Sequence, residues 1–360
     1  MQGVEERGLS KLLDHGILIA GTMRSRFITG LAGFELTTKE KAFLAGTRPA
    51  GIILFARNCD TPDQIRRLVS DAIDAISANE VLVLIDQEGG RVQRLRPPLG
   101  RDLPPARAFG RLYDSDPVAA VNAAKLVFRL LAQDLRELGI NTDCVPVLDV
   151  PVPGAHDVIG DRAYATTVAP IVALGRAVAH GMMAGGVVPV MKHVPGHGRA
   201  TCDSHLALPI VNESLEDLRA SDFQTFEALS DLPAAMTAHV VYDVLDGTAP
   251  ATTSRYVIDD IIRQEIGFGG LLMSDDLSMR ALSGSLQSRA RATITAGCDL
   301  ILHCNGVLEE MEAVAAESPE LVGEAFNRFA AAWAVTQQTQ DFDVGEAEMA
   351  LLLVLAGGSA

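Results

Sequence analysis

Eight short runs rich in valine, isoleucine and leucine recur along this chain, each followed by a turn and then by a longer segment with helical spacing. They are GILIAGT (16–22), GIILFAR (51–57), VLVLID (81–86), INTDCVPVLDV (140–150), VVPVMKH (187–193), AAMTAHV (234–240), GGLLMSD (269–275) and DLILHCN (299–305). Runs apolar at nearly every position read as strands buried on both faces, the signature of a parallel sheet, and eight strand–helix units close into a barrel. Helical candidates between them cover 61–77, 116–139, 169–186 and 214–229, and most begin at or near an Asp, Thr or Ser suited to cap a first turn. An open, doubly wound sheet is the alternative. Against it, the first run is followed by GTMRSRFITG, which lacks the G-x-G-x-x-G turn of a dinucleotide site, and no linker-like stretch divides the chain. The expected fold is therefore α/β: a single (β/α)8 TIM barrel over 1–344 with a C-terminal helix, followed by a short apolar tail, 345–360.

Composition narrows the partners. Acidic residues outnumber basic ones 46 to 30, a net charge of −16 that repels polyanions, so no nucleic acid is expected. The N-terminal MQGVEERGLSKLLDHG has neither the basic start nor the apolar run of an export signal. Near the other end, MALLLVLAGG supplies about ten apolar residues where a membrane-spanning helix needs roughly 20. Five scattered cysteines, Cys59, Cys144, Cys202, Cys298 and Cys304, form no C-x-x-C pair and suit a reducing compartment, so the expected location is cytoplasmic. No membrane partner is expected, and a monomer is the default state.

In barrels of this kind chemistry gathers at the C-terminal ends of the strands. Here those ends carry Arg57 and Asn58, Asp86, Asp149, Lys192 and His193, His239, Asp275 and Asp276, and His303 and Asn305. So many polar ends argue for a pocket. The stretch MKHVPGHGRATCDSHLALP adds His197, Asp203 and His205. His193, His197, Asp203 and His205 have the side chains of a metal site, yet Pro195, Gly196 and Gly198 break the helix that would bring an H-x-x-x-H pair to one side. No metal and no cofactor are expected. PGHG is too short to identify an anion cradle by itself. Acid/base work remains: in D-S-H a carboxylate two residues from an imidazole can orient it, and MSDDLSM offers a carboxylate to act with it. Of Asp275 and Asp276, one can face the pocket while the other caps the following helix.

Taken together, IDQEGGRVQRL (85–95), PVLDV (146–150), GDRAYA (160–165), MKHVPGHGRATCDSH (191–205), TAHVVYDVLD (237–246) and LLMSDDLSM (271–279) closely resemble glycoside hydrolase family three, in its branch of bacterial β-N-acetylglucosaminidases of peptidoglycan recycling. The resemblance covers nearly the whole chain. It implies a retaining exo-β-N-acetylglucosaminidase with Asp275 as nucleophile, His205 as acid/base and Asp203 as its dyad partner. It also implies that Asp86, Arg94, Arg162, Lys192 and His193 hold the terminal sugar and its acetamido group. Most glycosidases use two carboxylates, and this branch replaces one by His. The implied substrate is a small carbohydrate or muropeptide, GlcNAc-1,6-anhydroMurNAc-peptide.

Val194 where the family has Phe, Cys202 where Ala or Thr is usual, and Ala163 where Ser is usual are departures that remove no chemical group. His197 reads as a structural loop residue and His239 as pocket lining. The last 50 residues read as one mainly helical stretch, with no room for the sandwich domain of larger members. An aromatic content of 5%, with Trp333 the single tryptophan, suits a pocket for one sugar better than a long cleft. A phosphorylase, in which phosphate replaces water because a neutral imidazole does not repel it, is the alternative outcome. A non-catalytic sugar-binding barrel is the third.

Overall fold

The computed structural model describes residues 24–357; the run at 16–22 lies outside the described residues. Eight parallel strands close into a barrel: β1 (Ser25–Gly30), β2 (Pro49–Leu54), β3 (Leu82–Ile85), β4 (Thr142–Asp143), β5 (Val188–Val194), β6 (Ala234–Thr237), β7 (Leu271–Asp276) and β8 (Leu300–His303). Neighbours in the barrel are neighbours in sequence, and β1 closes it by pairing with both β2 and β8. Thus β1 lies in SRFITG, which the sequence reading had placed in the turn after the first strand. The second half of that segment is buried on both faces: Phe27 and Leu31 face the helices, and Ile28 faces the interior.

Around the sheet run α1 (Thr38–Thr47), α2 (Pro62–Ile76), α3 (Ala106–Ser115), α4 (Pro117–Glu137), α5 (Val168–Ala184), α6 (Leu215–Ala220), α7 (Asp222–Glu227), α8 (Leu286–Ala296), α9 (Leu308–Ala315), α10 (Gly323–Ala334) and α11 (Val344–Gly357). Local chemistry sets their starts. The Thr61 side chain accepts from the Gln64 amide with Pro62 in the first turn, and Asp116 accepts from Ala119 before Pro117 opens α4. In α2, Ile65, Leu68, Val69, Ala72 and Ile76 recur at three- and four-residue spacing and are all buried.

The helix expected over 214–229 is broken. At Ser221 the backbone leaves the helical region (φ −139, ψ −74), its hydroxyl contacts the Asp217 carbonyl and the Asp222 carboxylate, and Arg199 pairs with Asp222 at 2.6 Å. The C-terminal stretch is likewise three helices and not one: Pro319 and Gly323, the latter at φ +60, interrupt it between α9 and α10, and non-helical residues 338–343 separate α10 from α11. The expected apolar tail is helical: α11 packs on α4, burying Ala347, Leu351 and Val354 while Met349, Leu352 and Leu353 stay exposed. Among the described residues no helix is long and apolar enough to cross a membrane.

Strand parity places the site. Leu82 and Leu84, Val188 and Val190, and Leu271 and Met273 point into the barrel, where Phe329 of α10 plugs the N-terminal end. Two residues further along each of these strands stand Asp86, Lys192 and Asp275. Side chains alternate with a period of two, so these polar groups face inward just past the last apolar layer.

Candidate active site

A cavity of about 420 Å³ opens over that last layer and is lined by Asp86, Glu88, Arg94, Arg162, Lys192, His193, His197, Ser204, His205, Asp275 and Asp276, among others. Its floor is a chain of alternating charges. Arg94 reaches Asp86 at 2.9 Å; Lys192 bridges Asp86 at 2.9 Å and Glu88 at 2.6 Å; Arg162 holds Glu88 with two bonds of 2.8 Å. Burial alone would raise both carboxyls, but Lys192 and Arg94 hold Asp86 far below its ordinary range, and Arg162 with Lys192 brings Glu88 down to about 2. Burial pulls Lys192 the other way, and Asp86 and Glu88 more than offset it, so the ammonium stays charged. Glu88 follows Asp86 by two residues and faces the same way; the i, i+2 spacing within IDQEGGRVQRL was a signal for it that the sequence reading left unused.

At the exit of β5 the GHG segment folds back over β4's continuation. Gly198 lies so close to the Val150 carbonyl that a side chain there would collide with it. This approach brings both histidines to one carboxylate. Asp149 accepts from the His193 ring at 2.7 Å, the His193 amide at 3.2 Å and the His197 amide at 2.6 Å. Burial would raise Asp149, but the neighbouring His193 and His197 bring it down to about 2. His197, expected as a loop residue, lines the cavity, its Nε2 3.0 Å from the Ser204 hydroxyl.

Asp275 and Asp276 are divided by their bonds. Asp275 faces the cavity and accepts from the Asp276 amide at 2.8 Å; burial would raise it, but His239, His193 and that amide keep it below the ordinary carboxylate range. Asp276 is occupied by the backbone: it accepts from the amides of Ser278 at 3.0 Å and Cys304 at 3.1 Å, and from the Ser278 hydroxyl. It closes a turn and does not cap a helix, since irregular backbone follows β7 until α8. His239 lies beneath, fully buried and not at the cavity wall; its Nε2 donates to the Asp276 carbonyl at 3.0 Å while Nδ1 accepts from Thr252 at 2.7 Å. It thereby fixes the Asp276 carbonyl, one residue past Asp275.

Across the cavity, Asp203 accepts from the His205 ring at 2.8 Å and its amide at 2.9 Å. The His205 side chain is 64% exposed. All eight residues picked from the sequence thus fall in one place: seven line the cavity, and Asp203 stands behind His205. The arrangement offers a buried anionic group facing an oriented imidazole, over a floor of fixed donors and acceptors able to grip hydroxyl and amide groups.

A family model described as the glycosyl hydrolase family 3 N-terminal domain matches residues 19–327. β-Hexosaminidases of Alkalilimnicola ehrlichii and Methylococcus capsulatus are 41% and 40% identical over 280 and 292 residues, covering 77% and 78% of this chain and 79% and 85% of their own. Among solved structures, NagZ of Neisseria gonorrhoeae in complex with N-trifluoroacetyl-D-glucosamine superposes with a TM-score of 0.82 at 33% identity, covering 94% of this chain and 99% of its own. A family 3 β-N-acetylglucosaminidase from Paenibacillus superposes with a TM-score of 0.81 at 28% identity, over 92% of this chain and 67% of its own.

Proposed function

The chain belongs to glycosyl hydrolase family 3, and from that membership we propose that it is a retaining exo-β-N-acetylglucosaminidase removing terminal N-acetylglucosamine from peptidoglycan-derived muropeptides. The observation that carries the reading is the pairing, around one cavity, of the ionised Asp275 with an imidazole fixed by a carboxylate 2.8 Å away.

In the first step the Asp275 carboxylate attacks the anomeric carbon while His205 gives its proton to the departing oxygen, so the glycosidic bond breaks as a sugar–aspartyl ester forms. Asp203 balances the imidazolium before the transfer and holds the ring's orientation throughout. In the second step neutral His205 takes a proton from water, whose oxygen attacks the same carbon and restores Asp275; two inversions leave the β-configuration unchanged. In this reading the D-S-H segment, whose His205 side chain lines the cavity and is 64% exposed, turns toward bound substrate to bring the imidazole to the leaving oxygen. Asp86, Arg94, Arg162, Lys192 and His193 hold the sugar, with donors and acceptors fixed beforehand by their mutual bonds. The N-acetylglucosamine analogue bound to the Neisseria protein supports an acetamido sugar in this place.

Paired assays on p-nitrophenyl β-N-acetylglucosaminide and its glucose analogue, with and without phosphate, test the reading. The expected result is strong preference for the acetamido sugar and release of free N-acetylglucosamine in both buffers. Equal cleavage of both glycosides would remove acetamido recognition, and N-acetylglucosamine 1-phosphate as product would make the enzyme a phosphorylase.

A further inference from the structure

Segment 201–208, which carries Asp203 and His205, is half-buried or exposed at every position except one: Ser204 is 2% exposed between the partly exposed Asp203 and the solvent-facing His205. A single buried polar side chain in an otherwise exposed loop is held by its partners. The Ser204 hydroxyl lies 3.0 Å from His197 Nε2, and its carbonyl accepts from the Ala281 amide at 3.2 Å. His197 belongs to the exit of β5, and Ala281 to the loop that follows the nucleophile strand β7. Two walls of the pocket therefore grip the loop at the same residue.

Around that grip the dyad is closed on itself. Asp203 accepts from the amide and ring of His205 through its side chain, and through its carbonyl from the amides of Leu206 at 2.9 Å and Ala207 at 3.0 Å. Residues 203–207 form one compact turn whose bonds to the pocket walls run through Ser204. We propose that Ser204, held by His197, is the positioning residue of the acid/base dyad: it fixes the point about which the Asp203–His205 turn swings onto the leaving group. The inference rests on the reading of His205 as the acid/base.

His197 suits the part. Burial, reinforced by the nearby His193, lowers its titration to about 4, so the ring stays neutral and its bond to Ser204 does not change over the working pH range. Asp149 accepts from the His197 amide and from the His193 ring, so one carboxylate sets both the dyad's anchor and the imidazole assigned to the sugar. Loss of the Ser204 hydroxyl should accordingly impair proton transfer and leave the sugar subsite intact.

The test is the dependence of kcat/KM on leaving-group pKa, over a series of aryl β-N-acetylglucosaminides and one disaccharide, for Ser204→Ala, Ser204→Thr and His197→Asn, with His205→Ala as reference. A positioned general acid contributes about 10²- to 10⁴-fold, and a mispositioned one loses part of it, so Ser204→Ala and His197→Asn should lose about 10- to 100-fold on the disaccharide and little on dinitrophenyl glycosides. The slope steepens as for His205→Ala, inhibition by N-acetylglucosamine is unchanged, and Ser204→Thr, which keeps the hydroxyl, retains the shallow slope. A uniform loss across the series, a wild-type slope in Ser204→Ala, or a Thr variant as impaired as the Ala variant overturns the proposal. If His205→Ala alone steepens the slope, the anchor fails and the acid/base reading stands; if His205→Ala keeps the wild-type slope, both fall. Should Ser204→Ala not fold, His197→Asn severs the same bond from the other side and decides the matter.

Discussion

Three carboxylates crowd the base of the pocket, and their partners give them opposite characters. Asp86 and Glu88 have cations and stay ionised, whereas Asp143, fully buried at the end of β4, has only the Gln87 amide at 2.9 Å on one oxygen and no partner on the other. Burial pushes its carboxyl up to about 8. An unfolded Asp titrates near 3.9. Between those values the folded chain holds a proton that the unfolded chain has released, so this residue's contribution is full below about pH 4 and is lost as pH rises through about 8. Asp143→Asn keeps an acceptor for Gln87 and cannot ionise; it should gain thermal stability over wild type progressively from pH 5 to pH 8, and a constant Tm difference over that range would refute the assignment. From sequence, Asp86, Lys192 and Asp275 were legible because each ends an apolar run. The burial of Asp143 was not, nor was Asp149's hold on two histidines, since both depend on contacts between segments more than 40 residues apart.

At the scale of elements, α4 and α5 pack so closely that Gly181 of α5 has no space for a side chain: a Cβ there would collide with the Lys125 carbonyl and come within 2.9 Å of the Arg129 amide, both backbone atoms of α4. Backbone cannot yield as a flexible side chain does, so Gly181→Ala should force the helices apart at a cost of about 2 kcal/mol or more. Chemical denaturation should show that loss while kcat/KM of the folded enzyme is unchanged, because the contact lies in the outer layer. A midpoint equal to wild type would contradict the packing. Helices with strong capping, such as α2 and α4, were readable to within a residue or two, and seven of the eight strand runs overlap observed strands. The failures have local causes: Ser221 breaks a periodic pattern by turning its hydroxyl on the backbone, and SRFITG was passed over because arginine and serine hide its alternation.

For the molecule as a whole, closure of the barrel is what turns scattered motifs into one site. Pairing β1 to β8 and to β2 leaves the sheet without an edge, so eight strand ends converge on one rim, and residues from 86 to 275 meet within a single cavity. This convergence was legible at seven of the eight strand ends before any contact was known; the remaining strand, SRFITG, had not been counted. The hold on the D-S-H turn was not legible, since it depends on how one buried serine, Ser204, is bonded to His197. The claim on which the rest depends is that Asp275, and not its neighbour, forms the covalent bond to sugar. Incubation with a 5-fluoro N-acetylglucosaminyl fluoride, proteolysis and fragment mass spectrometry test it directly. The account predicts a single labelled peptide carrying one fluorinated sugar on Asp275; a label on Asp276, or no stable adduct while the fluoride is turned over with inverted configuration, would contradict it.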